Sequence, residues 1–426
     1  MENLSGRVLI VGAGAAGLAC ARELTKAGRD LLVLEARDRI GGRICTIRDP
    51  RMPVPVELGA EFVHGVHPAL WNVLREMAAP VVEVDGEHLT RDKHGLHESD
   101  SWERMGEIFD AMSRVAEQSF ASFIHRISAP DDVRHAATGF VEGFNAARKE
   151  DVSVEWLNRE NRASEEIDGD RAFRVLRGYD SVTAFLGEGL NIRLSTPVRR
   201  VTWKRGEATV ETSDGDLSAR HVVIAVPFAL LASGALVIDP APAALASASS
   251  AVATGNALRI TYRFRDAIWE KHRRLSFLHG DEAFPVWWTP YPVLAPVITG
   301  WAAGPKADAM RGRESEELRD IGLRSLRSLL GEDPGEPDAF FVHDWAEDPW
   351  ARGAYSYVRV NGMKAQMALA EPVEDTLWFT GEACAPAGHI GTVHGAIASG
   401  IAVAQRISGN KRWKGPPGRR AGELSS

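Results

Sequence analysis

Residues 8–43 read VLIVGAGAAGLACARELTKAGRDLLVLEARDRIGGR, and no other stretch limits the fold as sharply. Val8 to Val11 form a short apolar, β-branched run. Gly12, Gly14 and Gly17 follow it in the G-x-G-x-x-G spacing, with Ala15 and Ala16 between the last two. Leu18, Ala21, Arg22, Leu24 and Thr25 recur at helical spacing up to Ala27, and Gly28 is a natural helix stop. A second apolar run, Leu31 to Leu34, ends on Glu35. Strand, tight turn, helix and strand in this order make a βαβ unit. In a dinucleotide-binding unit of this kind one glycine turns the chain, one lets the backbone approach a pyrophosphate, and one lets helix and strand pack closely. Free N–H groups and the helix dipole favour phosphates at the helix start. Glu35 lies where a carboxylate accepts hydrogen bonds from the adenosine ribose hydroxyls, which disfavours a 2′-phosphate. The bland alternative is the same unit with a tight turn and no ligand, and the motif alone does not separate NAD from FAD.

The next residues do. Ala36 and Arg37 follow Glu35, and Ile40-Gly41-Gly42-Arg43 adds a second glycine pair with an arginine placed to reach a phosphate. A nicotinamide enzyme needs no second phosphate grip there. The run EARDRIGGR resembles the element that follows the dinucleotide fold in glutathione-reductase-like FAD proteins, and the resemblance favours FAD.

A chain of 426 residues with 44% hydrophobic residues can build two domains with a sizeable core. The apolar run at 8–11 is too short to span a membrane and flows straight into the glycine turn, so neither a membrane nor a signal peptide is expected, and the default address is the cytoplasm. Cys20, Cys45 and Cys384 are an odd count without paired spacing, which argues against a disulfide framework and against a metal site. A formal net charge of −8 gives no reason to expect a nucleic-acid partner. His88, His94 and His97 lie in the polar run GEHLTRDKHGLHES and are expected to be solvated. The tail from Lys411 is rich in Pro, Gly and charge, and is expected to be disordered.

Farther along, Val54 to Gly65 alternates in a strand-like way. Trp102, Met105, Ile108, Phe109, Met112, Val115 and Ala116 recur at three- and four-residue steps within a helical region over 102–150, and core packing is the preferred reading of that stripe. From Asn191 the texture changes to a strand meander, with turns at Arg205-Gly206 and Asp214-Gly215, feeding a last apolar strand over Val222–Val226. A second excursion carries Trp269, Trp287, Trp288, Trp301, Trp345 and Trp350. The chain closes with a strand, a glycine-rich loop and a helix from about Thr392. The expected organisation is a discontinuous FAD-binding domain over 1–80, 190–255 and 372–410, and a substrate-binding domain over 81–189 and 256–371.

With these segments in place the chain resembles the flavin-containing amine oxidases, most closely the polyamine oxidases and the amine-oxidase domain of lysine-specific histone demethylases. The likeness runs from about Arg7 to Ile407. It rests on the opening unit, GAEFVHG at 59–65, DPWARGAYSYV at 348–358 and FTGEACAPAGHIGTVHGAIASG at 379–400. It implies an α/β fold in which a glutathione-reductase-like FAD-binding domain is interleaved with an α+β substrate-binding domain. A long helical tower or an added N-terminal chromatin module does not fit this length, so a histone substrate is not expected.

Carried onto this chain, the resemblance assigns Gly12, Gly14, Ala15, Ala16, Gly17, Glu35, Ala36, Arg37, Gly42 and Arg43 to the ADP and pyrophosphate grip. Gly59, Ala60, Glu61 and Phe62 become a loop passing near the flavin, and Val198 an adenine contact. Trp350, Gly381, Glu382 and Gly391 join the cofactor set, and Thr392 and Val393 open the last helix beside the ring. Tyr355 is implied as an aromatic wall over the reacting face. Thr392 stands where monoamine oxidases place the opposing wall, and His64 stands at a tunnel position that contacts amines. Ala354 replaces the cysteine that attaches flavin covalently, which implies noncovalent FAD. Arg259, within GNALRITYRFRDAIW at 255–269, falls where a lysine normally holds a water at flavin N5. Since arginine is bulkier and forks its donors, either weak oxygen reactivity or a grip on a substrate carboxylate follows, with a structural ion pair as the bland reading. The implied reaction passes a hydride from the α-carbon of a neutral amine to flavin N5, followed by hydrolysis to an aldehyde or ketone plus an amine, with oxygen or another electron acceptor reoxidising the flavin. Two rivals are an FAD oxidoreductase on an amino acid or nonamine, such as a desaturase or porphyrinogen oxidase, and a noncatalytic binding protein on the same scaffold. The sequence does not give the oligomeric state.

Overall fold

A computed structural model describes residues 2–3, 6–92, 95–98, 101–272, 274–386 and 388–409. His94 and the segment from Lys411 lie outside the described residues.

Val8–Val11 and Leu31–Leu34 sit at the middle of a five-stranded parallel sheet in the order Ile192–Arg193, Leu31–Leu34, Val8–Val11, His221–Ile224, Leu377–Phe379. A parallel sheet covered on both faces needs apolar side chains at every position, and all eight residues of the two inner runs are buried. The two-residue period divides them. Val8, Ile10, Leu31 and Val33 pack with Leu18, Leu24 and Ile397 on the helical side, whereas Leu9, Val11, Leu32 and Leu34 pack with Val201, Val210 and Leu217 on the other. That second layer is the meander Val198–Lys204, Glu207–Thr212 and Gly215–Ala219, antiparallel throughout. Its turns fall at the two expected glycine dipeptides. The strand expected over Val222–Val226 runs from His221 to Ile224 and lies directly beside Val8–Val11.

The first helix spans Ala15–Lys26, so it starts three residues before the expected Leu18, with Gly14 as its N-cap. The apolar period becomes visible only at Leu18 because the first turn is made of alanines and a glycine. A Cβ on Gly17 would come within 2.0 Å of the Gly12 carbonyl oxygen, and one on Gly400 within 2.2 Å of the Ala16 carbonyl oxygen. Small residues therefore let this helix approach both its own strand and the closing helix, Val393–Ile407.

Beyond this layer stands a seven-stranded mixed sheet in the order Ala339–Asp344, Ala257–Arg263, Val297–Ala303, Val286–Trp288, Leu275–His279, Glu87–Asp92, Gly95–Glu98. One face carries Leu258, Ile260, Trp287, Ile298, Leu278 and Leu89 into a core closed by the helix Ser315–Leu330. Gly300 is required there because a Cβ would meet the Trp287 indole at 2.7 Å. The opposite face turns towards the site. Helices Ser101–Met112, Phe120–Arg126, Asp131–Gly143 and Val154–Glu165 form a third layer, whose core takes Met105, Ile108 and Met112 as expected. The helix stops at Met112, which leaves Val115 and Ala116 exposed. Among the described residues no helix is long and apolar enough to cross a membrane.

Candidate active site

A continuous cavity of about 2130 Å³ runs from the glycine turn to the inner face of the large sheet. Pockets for one drug-sized ligand measure roughly 300–1,000 Å³, so this one has room for a dinucleotide and a second molecule beyond it. Gly12, Gly14, Ala15, Ala16, Glu35, Ala36, Arg37, Gly42, Arg43 and Val198 line one end. Gly59, Ala60, Glu61, Phe62, His64, Arg259, Trp350, Tyr355, Gly381, Glu382, Gly391, Thr392 and Val393 line the middle and the far side. Of the expected site residues only Gly17 stands back from the cavity, where it serves helix packing.

At the first end, no side chain caps the helix start, and a Cβ on Gly14 would meet no protein atom within 4 Å. Backbone donors and an open approach suit an anion. Glu35 is buried and accepts from the backbone N–H groups of Ala13 at 2.7 Å and Arg37 at 2.9 Å. Each carboxylate oxygen keeps a second lone pair for a ligand hydroxyl. Arg37 lines this end, and its two terminal nitrogens fork onto Asp348 at 3.0 and 2.6 Å, which ties the DPWARG segment to it. Arg43 donates to the Ala354 carbonyl at 2.5 Å and to Glu382 at 2.9 Å. Glu382 also accepts from Ser356 N and Oγ and from Gly391 N, so it joins the segments carrying Tyr355, Gly391 and Arg43.

In the middle, two buried arginines share one carboxylate. Arg174 Nε donates to Glu61 Oε1 at 2.8 Å, Arg259 Nη2 donates to Oε2, and Trp288 Nε1 donates to the same oxygen at 3.0 Å. Arg259 Nη1 donates to the Gly59 carbonyl at 2.8 Å, and its guanidinium lies 5.0 Å from the Trp288 ring centroid. Burial pushes both arginine pKa values down to about 9, which keeps them charged at neutral pH. Each terminal nitrogen of Arg259 already donates to a protein oxygen and Nε is buried without a partner, which favours the structural ion pair over a grip on a substrate carboxylate.

Near Tyr355 stands a buried carboxyl that the sequence does not single out. Glu160, on the helix Val154–Glu165, lines the cavity with one oxygen accepting from Asn145 Nδ2 at 2.6 Å, and burial pushes its pKa up to about 8. Its helix buries Val154, Trp156, Leu157 and Ala163, but the run NRENR around Glu160 is polar throughout, so nothing in the sequence marks this glutamate from its neighbours. The Tyr355 hydroxyl donates to the Phe144 carbonyl. His64 packs edge-on against Phe144 with ring centroids 5.6 Å apart, and burial holds its pKa down to about 4. Thr392 uses its hydroxyl to cap the closing helix, accepting from Gly395 N at 3.0 Å and donating to the His389 carbonyl at 2.7 Å. It caps the helix while also lining the cavity. His88, expected in solvent, sits on a strand beside His279 and lines the cavity; His97 is exposed.

Comparison with known proteins agrees with this arrangement. The model of the flavin containing amine oxidoreductase family matches residues 15–100 and 90–408. Polyamine oxidase 4 of Oryza sativa subsp. japonica is 27% identical over 93% of this chain and 87% of its own length. Human lysine-specific histone demethylase 2 is 28% identical over 94% of this chain, which spans only 53% of that protein. Among solved structures, a putrescine oxidase triple mutant superposes with a TM-score of 0.84 at 24% identity, covering 96% of this chain and all of the other. Cyclohexylamine oxidase from Brevibacterium oxydans IH-35A gives 0.84 at 20%, covering 95% and 99%. With the family model spanning both ends of the cavity, and an uncapped helix start at one end facing a buried carboxylate and tyrosine at the other, this chain belongs to the flavin-containing amine oxidoreductases.

Proposed function

We propose that the chain oxidises the C–N bond of a small-molecule amine with noncovalently bound FAD. The observation that carries this reading is the single cavity, which joins the dinucleotide end to Glu160 and Tyr355. Gly14, Glu35 and the uncapped helix start fit the ADP half, and the cavity beyond Arg43 leaves room for a ring system. Bound FAD would supply the two-electron acceptor for the amine α-carbon and hand the electrons on to oxygen, giving hydrogen peroxide, or to another acceptor. Ala354 borders the cavity where a cysteine would be needed for attachment, so denaturation and filtration should release the yellow cofactor. The FAD-binding unit would then comprise 1–80, 190–255 and 372–410, with 81–189 and 256–371 shaping the amine pocket.

The protein's part is to hold, dry and deprotonate the amine. Tyr355, fixed through Phe144, gives a rigid face. Glu160, pushed up to about 8 by burial, lies close enough to Tyr355 to take up the proton of the incoming ammonium in its ionised form, whose share grows as pH rises towards 8; water then hydrolyses the oxidised product to a carbonyl compound and a smaller amine. Glu160→Gln should slow anaerobic flavin reduction about a hundredfold and remove the pH dependence near 8. Anaerobic mixing with a panel of primary and secondary amines tests the reading itself: bleaching of the bound flavin supports it, and a flavin that stays oxidised against the whole panel refutes it. The fixed guanidinium of Arg259 further supports slow reoxidation by oxygen, and rapid stopped-flow reoxidation of the reduced wild type would remove that part.

A further inference from the structure

The inner face of the large sheet carries a row of side chains set by its two-residue period and register. His88 pairs with Phe277, and Phe277 with Trp288, across neighbouring strands. All three face the cavity while Leu89, Leu278 and Trp287 face the core. The row connects to the Tyr355 end by ring contacts. Tyr355 bonds to Phe144, His64 meets Phe144, Phe62 lies 6.0 Å from His64, and Phe277 lies 5.5 Å from Phe62. The path ends at an imidazole pair: His279 Nε2 is 3.4 Å from His88 Nδ1, and the rings stack at 18° with Phe277 4.7 Å from His88.

A neutral imidazole has one donor and one acceptor nitrogen. When two share a bridging hydrogen, the remaining nitrogens, His279 Nδ1 and His88 Nε2, must be one donor and one acceptor, and moving the bridging proton exchanges the roles. Neither remaining nitrogen has a hydrogen-bond partner among the described residues, and neither is among the fully buried unpartnered atoms, so both are open to the cavity their residues line. Burial holds His279 down to about 3 and lowers His88 as well, so the pair is uncharged at neutral pH. A core histidine pair would close its remaining nitrogens on protein groups. This one leaves them beside a flat aromatic surface.

We infer that His88 and His279 form a distal specificity site for a neutral hydroxyl carried on an aromatic ring, so that the amine oxidised is an arylalkylamine with a ring hydroxyl and not an aliphatic diamine. The inference rests on the amine-oxidation reading. The ring lies along Phe62, Phe277 and Trp288, where aromatic contacts favour it over a methylene chain. The hydroxyl both donates and accepts, matching the pair in either tautomeric arrangement. A second ammonium has only donors, so it matches the nitrogen it meets in one of the two tautomeric arrangements and not in the other.

The test uses FAD-loaded enzyme mixed anaerobically with 4-hydroxyphenethylamine, phenethylamine and 1,4-diaminobutane, reading the second-order constant for flavin reduction. The hydroxylated amine should exceed the unsubstituted one by about tenfold. In His279→Phe and His88→Leu, checked for unchanged FAD content and melting temperature, that ratio should fall to about one through loss on the hydroxylated amine alone. His279→Gln, which keeps a donor and an acceptor, should retain part of it and covers the case in which the Phe variant fails to fold. A ratio near one in the wild type, an unchanged ratio in the folded variants, or 1,4-diaminobutane as the best substrate overturns the inference while leaving amine oxidation standing. No bleaching by any amine, including the wider panel, overturns both.

Discussion

Arg259 shows how one residue can be recognised as unusual in the sequence while its partners stay hidden. Its position drew attention because an arginine forks its donors, and the fork suggested a substrate carboxylate. The fork is used, but by Glu61 and the Gly59 carbonyl, with Arg174 holding the other oxygen of Glu61. Neither partner was legible beforehand, since Arg174 is 113 residues from Glu61 and Arg259 is 198. With Arg259 only 2% exposed, removing one member leaves a buried charge without its partner. Arg259→Met should therefore destabilise the fold by about 3 kcal/mol, measured by urea unfolding. Adding Glu61→Gln should show coupling of at least about 1 kcal/mol. A loss within about 0.5 kcal/mol, the range of an ordinary surface change, would return Arg259 to the substrate. Glu160 is the converse case. Its importance comes from burial beside Asn145 and Tyr355, which the polar run NRENR around it does not reveal.

At the scale of elements, the glycines that look alike in the motif do different work. Gly14 faces open space, whereas Gly17 and Gly400 lie against backbone carbonyls that have no freedom to retreat. Gly14→Ala should leave the stability of the cofactor-free protein within about 0.5 kcal/mol of wild type and weaken FAD binding, because the methyl group obstructs only the ligand. Gly400→Ala should cost about 1–3 kcal/mol in stability by forcing the first and closing helices apart, with FAD affinity falling as a consequence. Thermal unfolding of the cofactor-free form together with fluorescence titration separates the two. Equal stability losses in both variants would contradict the assignment. The βαβ unit was readable because everything it needs lies within 36 consecutive residues, including strand period, turn glycines and terminal acid. The cavity face of the large sheet was not, because its row of His88, Phe277 and Trp288 exists only once three strands are in register. Each strand alone shows an ordinary mixture of apolar and polar residues.

Across the whole molecule the buried titratable groups oppose one another, and their balance sets a pH optimum for stability. His64 and His67 are held down to about 4 and His279 to about 3, all by burial, from an ordinary 6.5. In the window between those values and 6.5 the unfolded chain binds a proton that the folded chain refuses, so stability rises with pH there and is flat above. His394, lowered well below 6.5 by burial and by His67, His389 and His64, acts in the same direction. Glu160 has the opposite sign. Its folded pKa of about 8 exceeds the ordinary 4.5, so the folded chain keeps a proton that the unfolded chain has lost, and stability falls as pH rises from 4.5 to about 8. Below pH 6.5 at least three histidine protons outweigh one carboxyl proton, and stability should drop steeply towards pH 4. Above 6.5 only the carboxyl slope survives among these groups, and stability should decline gently to pH 8. The melting temperature of the FAD-loaded protein should therefore peak near pH 6.5. Glu160→Gln should flatten the alkaline side without altering the acid side, and His279→Phe should make the acid side shallower. A curve that climbs steadily from pH 6.5 to 8 in the wild type would mean that the Glu160 carboxyl is not held above its ordinary range in the folded protein, and the pH dependence of flavin reduction expected near 8 would fall with it.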